Sequence, residues 1–482
     1  MTDVLIIGCG VIGAACAYEL AHSRVSVTVL EASNDVANGT TKANSAILHA
    51  GYDPHPGTQM AALNVEGVRL ARELCRRLDV PYDPIGSLVL AFDEADLATL
   101  HTLYERGVKN GVPGLQPLDA AAVHAMEPNL ADQVRGALYA PSAAVVNPWE
   151  YCLAMAEVAV KNGVQLHRSS PVTGIEVIPG GFRVTTPTAS YEARYILNAA
   201  GVAAGSVHEL VAPREYQITP ARGEYYLLDK NQGKLVHHVI FQCPNEKGKG
   251  VLVSPTVHGN LIVGPNAEPV PAANDTETTA AGLDEVRAAA VRSVPGIAFR
   301  ENIRNFAGVR ANHSGDDFLI AESRFVPHFF DLAGIKSPGL SAAPAIAKQA
   351  VRLLQGAGLT LAPREDFVDG RRRVRFAQCT PEEKNALIRQ DARYGRVICR
   401  CETVTEGEIV ASLHTPIPPV SVNGVKRRVG AGMGRCQGGF CGPRVQEILA
   451  RELGCSPVDI PMDDEGSWVL CGETKAVRRG EE

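Results

Sequence analysis

Apolar positions gather into short unbroken runs near the start of the chain and into alternating runs further on. Val4 to Ile7 is continuous and apolar, which predicts a buried strand, and "AACAYEL" just behind it is rich in helix formers. A second apolar run, Val25 to Leu30, closes on the acid Glu31. Much later, "YILNAAGVAAG" (Tyr195 to Gly205) predicts a strand running into small residues. "AGIKSPGLSAAPAIA" (Ala333 to Ala347) opens a helix that continues through "AKQAVRLLQGAG". In between, "GSLVLAFD", "YYLLD" and "GNLIVGP" read as strands of a second, β-rich region.

Composition narrows the setting. A chain of 482 residues exceeds one hydrophobic core, so two or three domains are expected. A hydrophobic content of 45% suits a globular protein, and a net charge of −6 gives no electrostatic case for nucleic acid or an anionic membrane. No run reaches the ~20 apolar residues of a transmembrane helix. Asp3 stands where a signal peptide would be basic. Twelve cysteines are scattered except for a final group, which reads as reduced thiols plus one special cluster. A cytoplasmic protein is expected.

Gly8, Gly10 and Gly13 form G-x-G-x-x-G between the first predicted strand and helix. Three glycines alone are a weak signal. Strand, glycine loop, helix, strand and acid within about 30 residues are a far stronger one. Such glycines let backbone N–H groups approach a pyrophosphate, and Glu31 would accept from an adenosine ribose; the competing reading is a βαβ unit without a nucleotide. NAD and FAD share this fingerprint. "NGTTKANSAILHAGYD" (Asn38 to Asp53), Tyr195 to Gly205 and Ala333 to Ala347 are three further segments dense in small or hydrogen-bonding residues. So many separated segments suit a large cofactor lying extended across a discontinuous domain, which favours FAD.

On these residues the first ~350 positions resemble the D-amino-acid-oxidase-type FAD oxidoreductases. "GTTKANSAILHAGYDPHPGT", "RGEYYLLDK", "PTVHGNLIVGP" and "AGIKSPGLSAAPAIA" resemble the glycerol-3-phosphate oxidase/dehydrogenase branch, with 2-hydroxyglutarate oxidases nearby. The resemblance implies hydride transfer from a secondary alcohol carbon to a flavin. The FAD contacts expected are Gly8, Gly10, Gly13, Glu31, Thr40, Thr41, Asn44, Ser45, Val172, Ala200, Gly201, Gly334, Gly339 and Leu340.

Oxidising a hydroxyl also needs a base, and an anionic substrate needs fixed cations. His49 is the expected base, since it lies in the segment the family places beside the flavin; in some relatives a histidine near this position carries the flavin covalently. His258 falls in a turn that the resemblance turns toward substrate, against the alternative of an exposed turn histidine. Arg310, in "NFAGVRANHSGDD", resembles the arginine that grips a substrate anion, against a structural ion pair. Arg222, in "PARGEYYLL", would hold substrate or the domain seam; His313 and Ser337 extend the set. Lys336 departs from the family, where an acid is expected. Pointing inward it would strengthen binding of a phosphate or carboxylate, and pointing outward it is a solvated lysine.

Near the C-terminal end, Cys399 and Cys401 form C-x-C, and after 34 residues Cys436 and Cys441 form C-x4-C. Zinc sites usually pair cysteines as C-x2–4-C on both sides, so a C-x-C half sits awkwardly there. Four thiolates among Gly432, Gly434, Gly438 and Gly439 suit a [2Fe–2S] cluster, with zinc and an unmetallated thiol group as alternatives. The stretch also resembles the bacterioferritin-associated-ferredoxin-like domain. Thr403 with Glu406 predicts a capping box behind it, with Thr405 as an alternative cap.

The expected class is α/β: a Rossmann-like FAD domain (1–85, 145–215 and 300–355), an inserted β-rich substrate domain (86–144 and 216–299) and a small Cys-rich helical domain (396–455). Residues 356–395 are expected as a linker, whose basic run "GRRRVRF" reads as a solvated connection or seam. The charged tail 456–482 is expected to cover a partner surface or to lack order. The expected function is an FAD-dependent glycerol-3-phosphate dehydrogenase that passes electrons through the cluster to a redox partner. Its alternatives are another small hydroxy acid such as 2-hydroxyglutarate, an amino acid, or an electron-transfer subunit with a degenerate site; a cluster that only braces its domain or senses oxygen also stays open.

Overall fold

Thr2–Ile7 carries four consecutive buried apolar residues, Val4 to Ile7, as a strand covered on both faces must. In this computed structural model, which describes residues 1–244, 250–472 and 474, that strand is the centre of a parallel sheet. The parallel order is Gln165–His167, Val27–Leu30, Thr2–Ile7, Ser190–Asn198 and Phe329–Ala333. Ile7 stands level with Leu30 on one side and with Asn198 on the other, so neighbouring strands end together at one edge. Antiparallel strands Gly174–Ile178, Gly181–Thr185 and Leu319–Glu322 extend the sheet. Helix Val11–Ala21 is buried almost all round and packs against helices Pro148–Lys161 and Gly339–Gly356.

A second sheet is built around one long antiparallel pair, Ile218–Leu228 with Asn302–His313. Leu261–Gly264 pairs with the first of these, and Ser87–Ala91 and Gly136–Ala140 join from the earlier segment. The class is the α/β arrangement expected. One boundary differs: Asn302–His313, assigned by sequence to the FAD domain, belongs to the second sheet. Between it and its partner strand the chain runs through strands such as Leu261–Gly264 and the helix Ala280–Ser293, so no local pattern announces the pairing.

The chain divides into two units, Met1–Ala32 with Val36–Arg371, and Ser33–Asp35 with Arg372–Glu482. The segment 356–395, expected as a linker, is built structure. Arg371, from the run read as solvated, inserts its guanidinium between Glu150 (3.4 Å) and Glu157 (2.5 Å). Both glutamates are buried on helix Pro148–Lys161 and require a counter-charge. Helix Pro381–Gln390 follows, started by a Thr380/Glu383 capping box.

In the second unit, helices Glu406–Ser412, Val422–Val429 and Gly442–Leu453 close over Ile409, Val425, Val445 and Leu449. The first of them is capped by Thr405 with Glu408 and not by Thr403, whose φ of +54° takes it out of the helical path. Arg428 is buried and forks onto Asp35 at 2.8 and 2.9 Å while also donating to the Ile417 carbonyl. Part of the tail is ordered: Ile460 is buried and Pro461 bridges to Trp468. Residues 473 and 475–482 of the tail lie outside the described residues. Among the described residues no helix is long and apolar enough to cross a membrane.

Asp35→Ala strands the Arg428 charge in a buried site. It is expected to destabilise the second unit by about 3–5 kcal/mol, read as faster amide exchange along Val422–Val429.

Candidate active site and cysteine cluster

The shared edge of the parallel strands collects the glycine loop and its partners. Strand Thr2–Ile7 delivers Gly8, whose N–H donates to the Leu30 carbonyl at 2.8 Å. A side chain at Gly13 would place Cβ 2.0 Å from the Gly8 carbonyl oxygen, and Gly8 itself has φ +95°, so helix Val11–Ala21 starts hard against the loop only with glycine at both. Gly10 is the residue before that helix. Glu31 follows the neighbouring strand, and its Oε2 accepts from the Cys9 N–H at 2.7 Å. The Ala200 N–H donates to Asn198 at 3.3 Å, and Gly201 turns with φ +59°. Gly334 follows Phe329–Ala333, and Gly339 and Leu340 open helix Gly339–Gly356. Val172 packs at the edge of the core under this sheet.

The segment 38–45 folds over the loop through its own polar groups. Thr41 Oγ1 accepts from the Val11 N–H at 3.0 Å, and Thr40 Oγ1 donates to the Val309 carbonyl at 2.7 Å. Asn44 donates back to the carbonyls of Thr40 and Thr41 and accepts from Ala46. Ser45 Oγ lies 3.2 Å from the Tyr225 hydroxyl. The fit to FAD rests on the chemistry of this edge: a loop that closes against the helix start and the Ala199 turn only without side chains at Gly8 and Gly13, the helix start itself, and the Glu31 carboxylate one strand over.

His49 is held at three atoms. Its N–H donates to Ser341 Oγ (2.7 Å), its carbonyl accepts from Asn64 Nδ2 (2.7 Å), and its Nε2 lies 3.1 Å from Ser337 Oγ. Asn64 and Ser341 are fully buried, on helices Gln59–Arg77 and Gly339–Gly356, which pack together. The ring stands 5.7 Å from that of Phe241 and lines a cavity with Asp53, Asn64, Phe241, Gln242 and Pro338. Asn64 Oδ1 is buried there without a hydrogen-bond partner among the described residues. Neither Asn64 nor Ser341 stands out in the sequence, because what marks them is a helix–helix contact.

The two arginines part company across one strand pair. Arg310 stands opposite Ala221, on the face shared by Tyr225, which reaches Ser45. Its guanidinium makes one hydrogen bond, to the Asn266 carbonyl at 3.3 Å, and no ion pair among the described residues. Arg222 is one residue out of phase and points to the other face. There it is buried against Glu268 and Asp275 (both 2.7 Å) and Glu224 (3.4 Å). Those carboxylates raise its pKa and consume its charge, so the substrate role expected for Arg222 gives way to a structural one. Lys336 is half-buried and also makes no ion pair among the described residues. His258 is exposed in the turn between Leu252–Pro255 and Leu261–Gly264, with Nε2 3.0 Å from Asn147, the cap of helix Pro148–Lys161. His313 has both ring nitrogens engaged by the Gly315 N–H and the Asp317 carbonyl.

In the second unit the four cysteines stand as two pairs. Cys401 and Cys436 have their sulfurs 3.8 Å apart near the surface, while Cys399 and Cys441 are buried and hydrogen-bonded to each other. The bond from Cys441, with N–H groups of Gly432 and Glu402, pulls the Cys399 thiol down against the effect of burial. The Phe440 N–H lowers Cys436 in the same way. A side chain at Gly434 would meet the Cys401 Cβ at 2.2 Å, so the two loops close on each other only with glycine there. Four soft sulfur donors with backbone N–H groups aimed at them fit an iron–sulfur cluster.

Comparison with known proteins agrees with both halves. The family model for FAD dependent oxidoreductases matches residues 3–353. The chain belongs to that family. The model of the BFD-like [2Fe-2S] binding domain matches residues 397–451, which replaces the zinc alternative, and the cofactors of this enzyme are FAD and a [2Fe–2S] cluster. The enzyme is 48% identical over 477 residues, 99% of each chain, to a glycerol 3-phosphate dehydrogenase of Caloramator mitchellensis. It is 34% identical to a glycerol 3-phosphate oxidase of Mycoplasma genitalium, over 73% of this chain and 94% of the other. Among solved structures it resembles the FAD-bound L-alpha-glycerophosphate oxidase of Mycoplasma pneumoniae, with TM-score 0.74 and 32% identity, covering 77% of this chain and 98% of that one.

Gly13→Val is expected to abolish FAD retention, seen as loss of flavin absorbance after desalting, while the second unit keeps its iron–sulfur absorbance. Ser341→Ala leaves the His49 N–H without its acceptor, at about 1–3 kcal/mol. It should slow flavin reduction by substrate while FAD stays bound, measured by stopped-flow absorbance.

Proposed function

We propose that the enzyme oxidises glycerol 3-phosphate to dihydroxyacetone phosphate in the cytoplasm and hands the electrons to a protein acceptor. The observation that carries this reading is Arg310. It is a cation without a carboxylate partner among the described residues, on the sheet face that meets segment 38–45, in a chain 48% identical to a glycerol 3-phosphate dehydrogenase. A planar guanidinium suits the phosphate oxygens, and Lys336 adds a second cation in the loop before helix Gly339–Gly356. FAD supplies the hydride acceptor and the [2Fe–2S] cluster a one-electron carrier, which favours a dehydrogenase over an oxidase.

His49 takes the hydroxyl proton at Nε2. Ser337 Oγ, 3.1 Å away, donates to that nitrogen while it is unprotonated and accepts from it afterwards, because a hydroxyl can serve in either sense. The Asn64 and Ser341 bonds fix the backbone on either side of the ring, so the base is oriented before substrate arrives. The ligand assignment of Cys399, Cys401, Cys436 and Cys441 belongs to the same reading and is supported by their two-pair arrangement.

The test is an anaerobic visible spectrum before and after glycerol 3-phosphate. Bleaching of the flavin bands is expected; unchanged bands would remove glycerol 3-phosphate, and bleaching by 2-hydroxyglutarate instead would move the assignment there. Arg310→Ala should lower kcat/KM on the order of 10–100-fold, the worth of a charge-assisted hydrogen bond. His49→Ala should lower kcat while FAD remains bound. Full turnover by both variants would refute the assigned roles.

A further inference from the structure

We infer that Gly223 and Gly308, which face each other across the long strand pair, are positioning residues: Gly223 seats the Arg310 guanidinium and Gly308 seats the segment 38–45. The two stand directly opposite in the register of Ile218–Leu228 with Asn302–His313, and both are buried. Glycine inside a strand loses packing and costs chain entropy, and it marks places where another backbone or a ligand comes close. Two such residues face to face in mid-sheet therefore need a cause, and the cause differs at each. A Cβ at Gly308 would stand 1.9 Å from the Ala43 carbonyl oxygen. A Cβ at Gly223 would stand 2.7 Å from Arg310 Nη2 and 3.2 Å from its guanidinium carbon.

The cation thus lies over the backbone of Gly223. Its edge is set by the Asn266 carbonyl at 3.3 Å, and Asn266 is itself held, its Oδ1 accepting from the Glu224 N–H at 2.8 Å. Pro265 closes the same space, with its Cβ 2.7 Å from the Cβ position of Gly223. Gly264 before it is paired with Leu252, so Pro265 is fixed at both ends. A methyl group at position 223 must then displace the guanidinium, the free end of a flexible side chain.

Gly308 does the same for the other partner. Thr40 Oγ1 donates to the Val309 carbonyl at 2.7 Å while the Ala43 carbonyl lies against Gly308, so the segment is docked at two points on Asn302–His313. Arg310 follows Gly308 by two residues on the same face, a spacing of about 7 Å along a strand. One strand therefore fixes the distance between the anion-binding cation and the segment expected at the flavin, and orientation of a reacting carbon depends on such a distance.

This inference rests on the proposed role of Arg310 in holding glycerol 3-phosphate. The experiment compares wild-type holoenzyme with Gly223→Ala, Gly308→Ala, Arg310→Ala and the double variant Gly223→Ala/Arg310→Ala. Flavin absorbance is read after desalting. Kinetics are measured with glycerol 3-phosphate and a dye acceptor, with inorganic phosphate as competitor. Gly223→Ala should keep FAD, raise KM about tenfold with kcat within about twofold, and weaken phosphate inhibition in proportion. In the Arg310→Ala background the same change should cost less than about twofold, because no guanidinium remains to be displaced. Gly308→Ala should lose FAD on desalting. An unchanged KM in Gly223→Ala, or an equal cost in both backgrounds, would overturn the seating of Arg310. If Gly223→Ala does not fold, the double variant should, and its failure to do so would count against the seating in the same way. FAD kept by Gly308→Ala would overturn the docking of the segment. If wild-type enzyme oxidises only 2-hydroxyglutarate, the substrate reading fails, and the same cycle run on that carboxylate decides the role of Gly223.

Discussion

The parallel register of four strands is the constraint from which the cofactor edge follows. Ile7 is level with Leu30 and with Asn198, and Asn198 with Asp331, so the chain leaves the sheet at one edge four times. Each exit delivers what that edge needs: the glycine loop, Glu31, the Ala200–Gly201 turn and the Gly334–Gly339 segment. A slip of one residue in any pairing would turn that strand's buried side chains over and move its exit along the edge. The apolar runs that hold the register are therefore as much a part of the cofactor site as the glycines.

The same alternation separates two arginines that the primary structure presents as equals. Ala221 and Tyr225 share one face of their strand with Arg310 of the neighbouring strand, and Arg222 and Glu224 share the other. On one face three carboxylates surround Arg222 and the desolvated charge is neutralised. On the other face Arg310 makes no ion pair among the described residues. Likewise, His49 acquires its character from helices Gln59–Arg77 and Gly339–Gly356, whose packing brings Asn64 and Ser341 to its two backbone groups.

The second unit follows a different logic. Helices Glu406–Ser412, Val422–Val429 and Gly442–Leu453 hold a small core, and polar ties such as the Arg428–Asp35 fork supply what apolar area alone does not. Asp35 comes from the far end of the sequence, so the segment 33–35 is shared out to a unit otherwise made of residues 372–482.

The glycine loop, the FAD it implies and the four-cysteine cluster were legible in the linear chain. The glycine loop and each cysteine pair are short contiguous segments in which backbone geometry or metal chemistry dictates the residue types directly. The helix after the cluster was legible too, with its cap shifted from Thr403 to Thr405 because neighbouring threonines compete for one role. Tertiary structure alone decided which arginine is ion-paired, which groups hold His49, that Arg371 is buried between two glutamates, and that Asn302–His313 joins the second sheet. Those outcomes depend on strand phase, helix packing and charge burial between residues far apart in the chain, and no local pattern of residue types encodes such pairings.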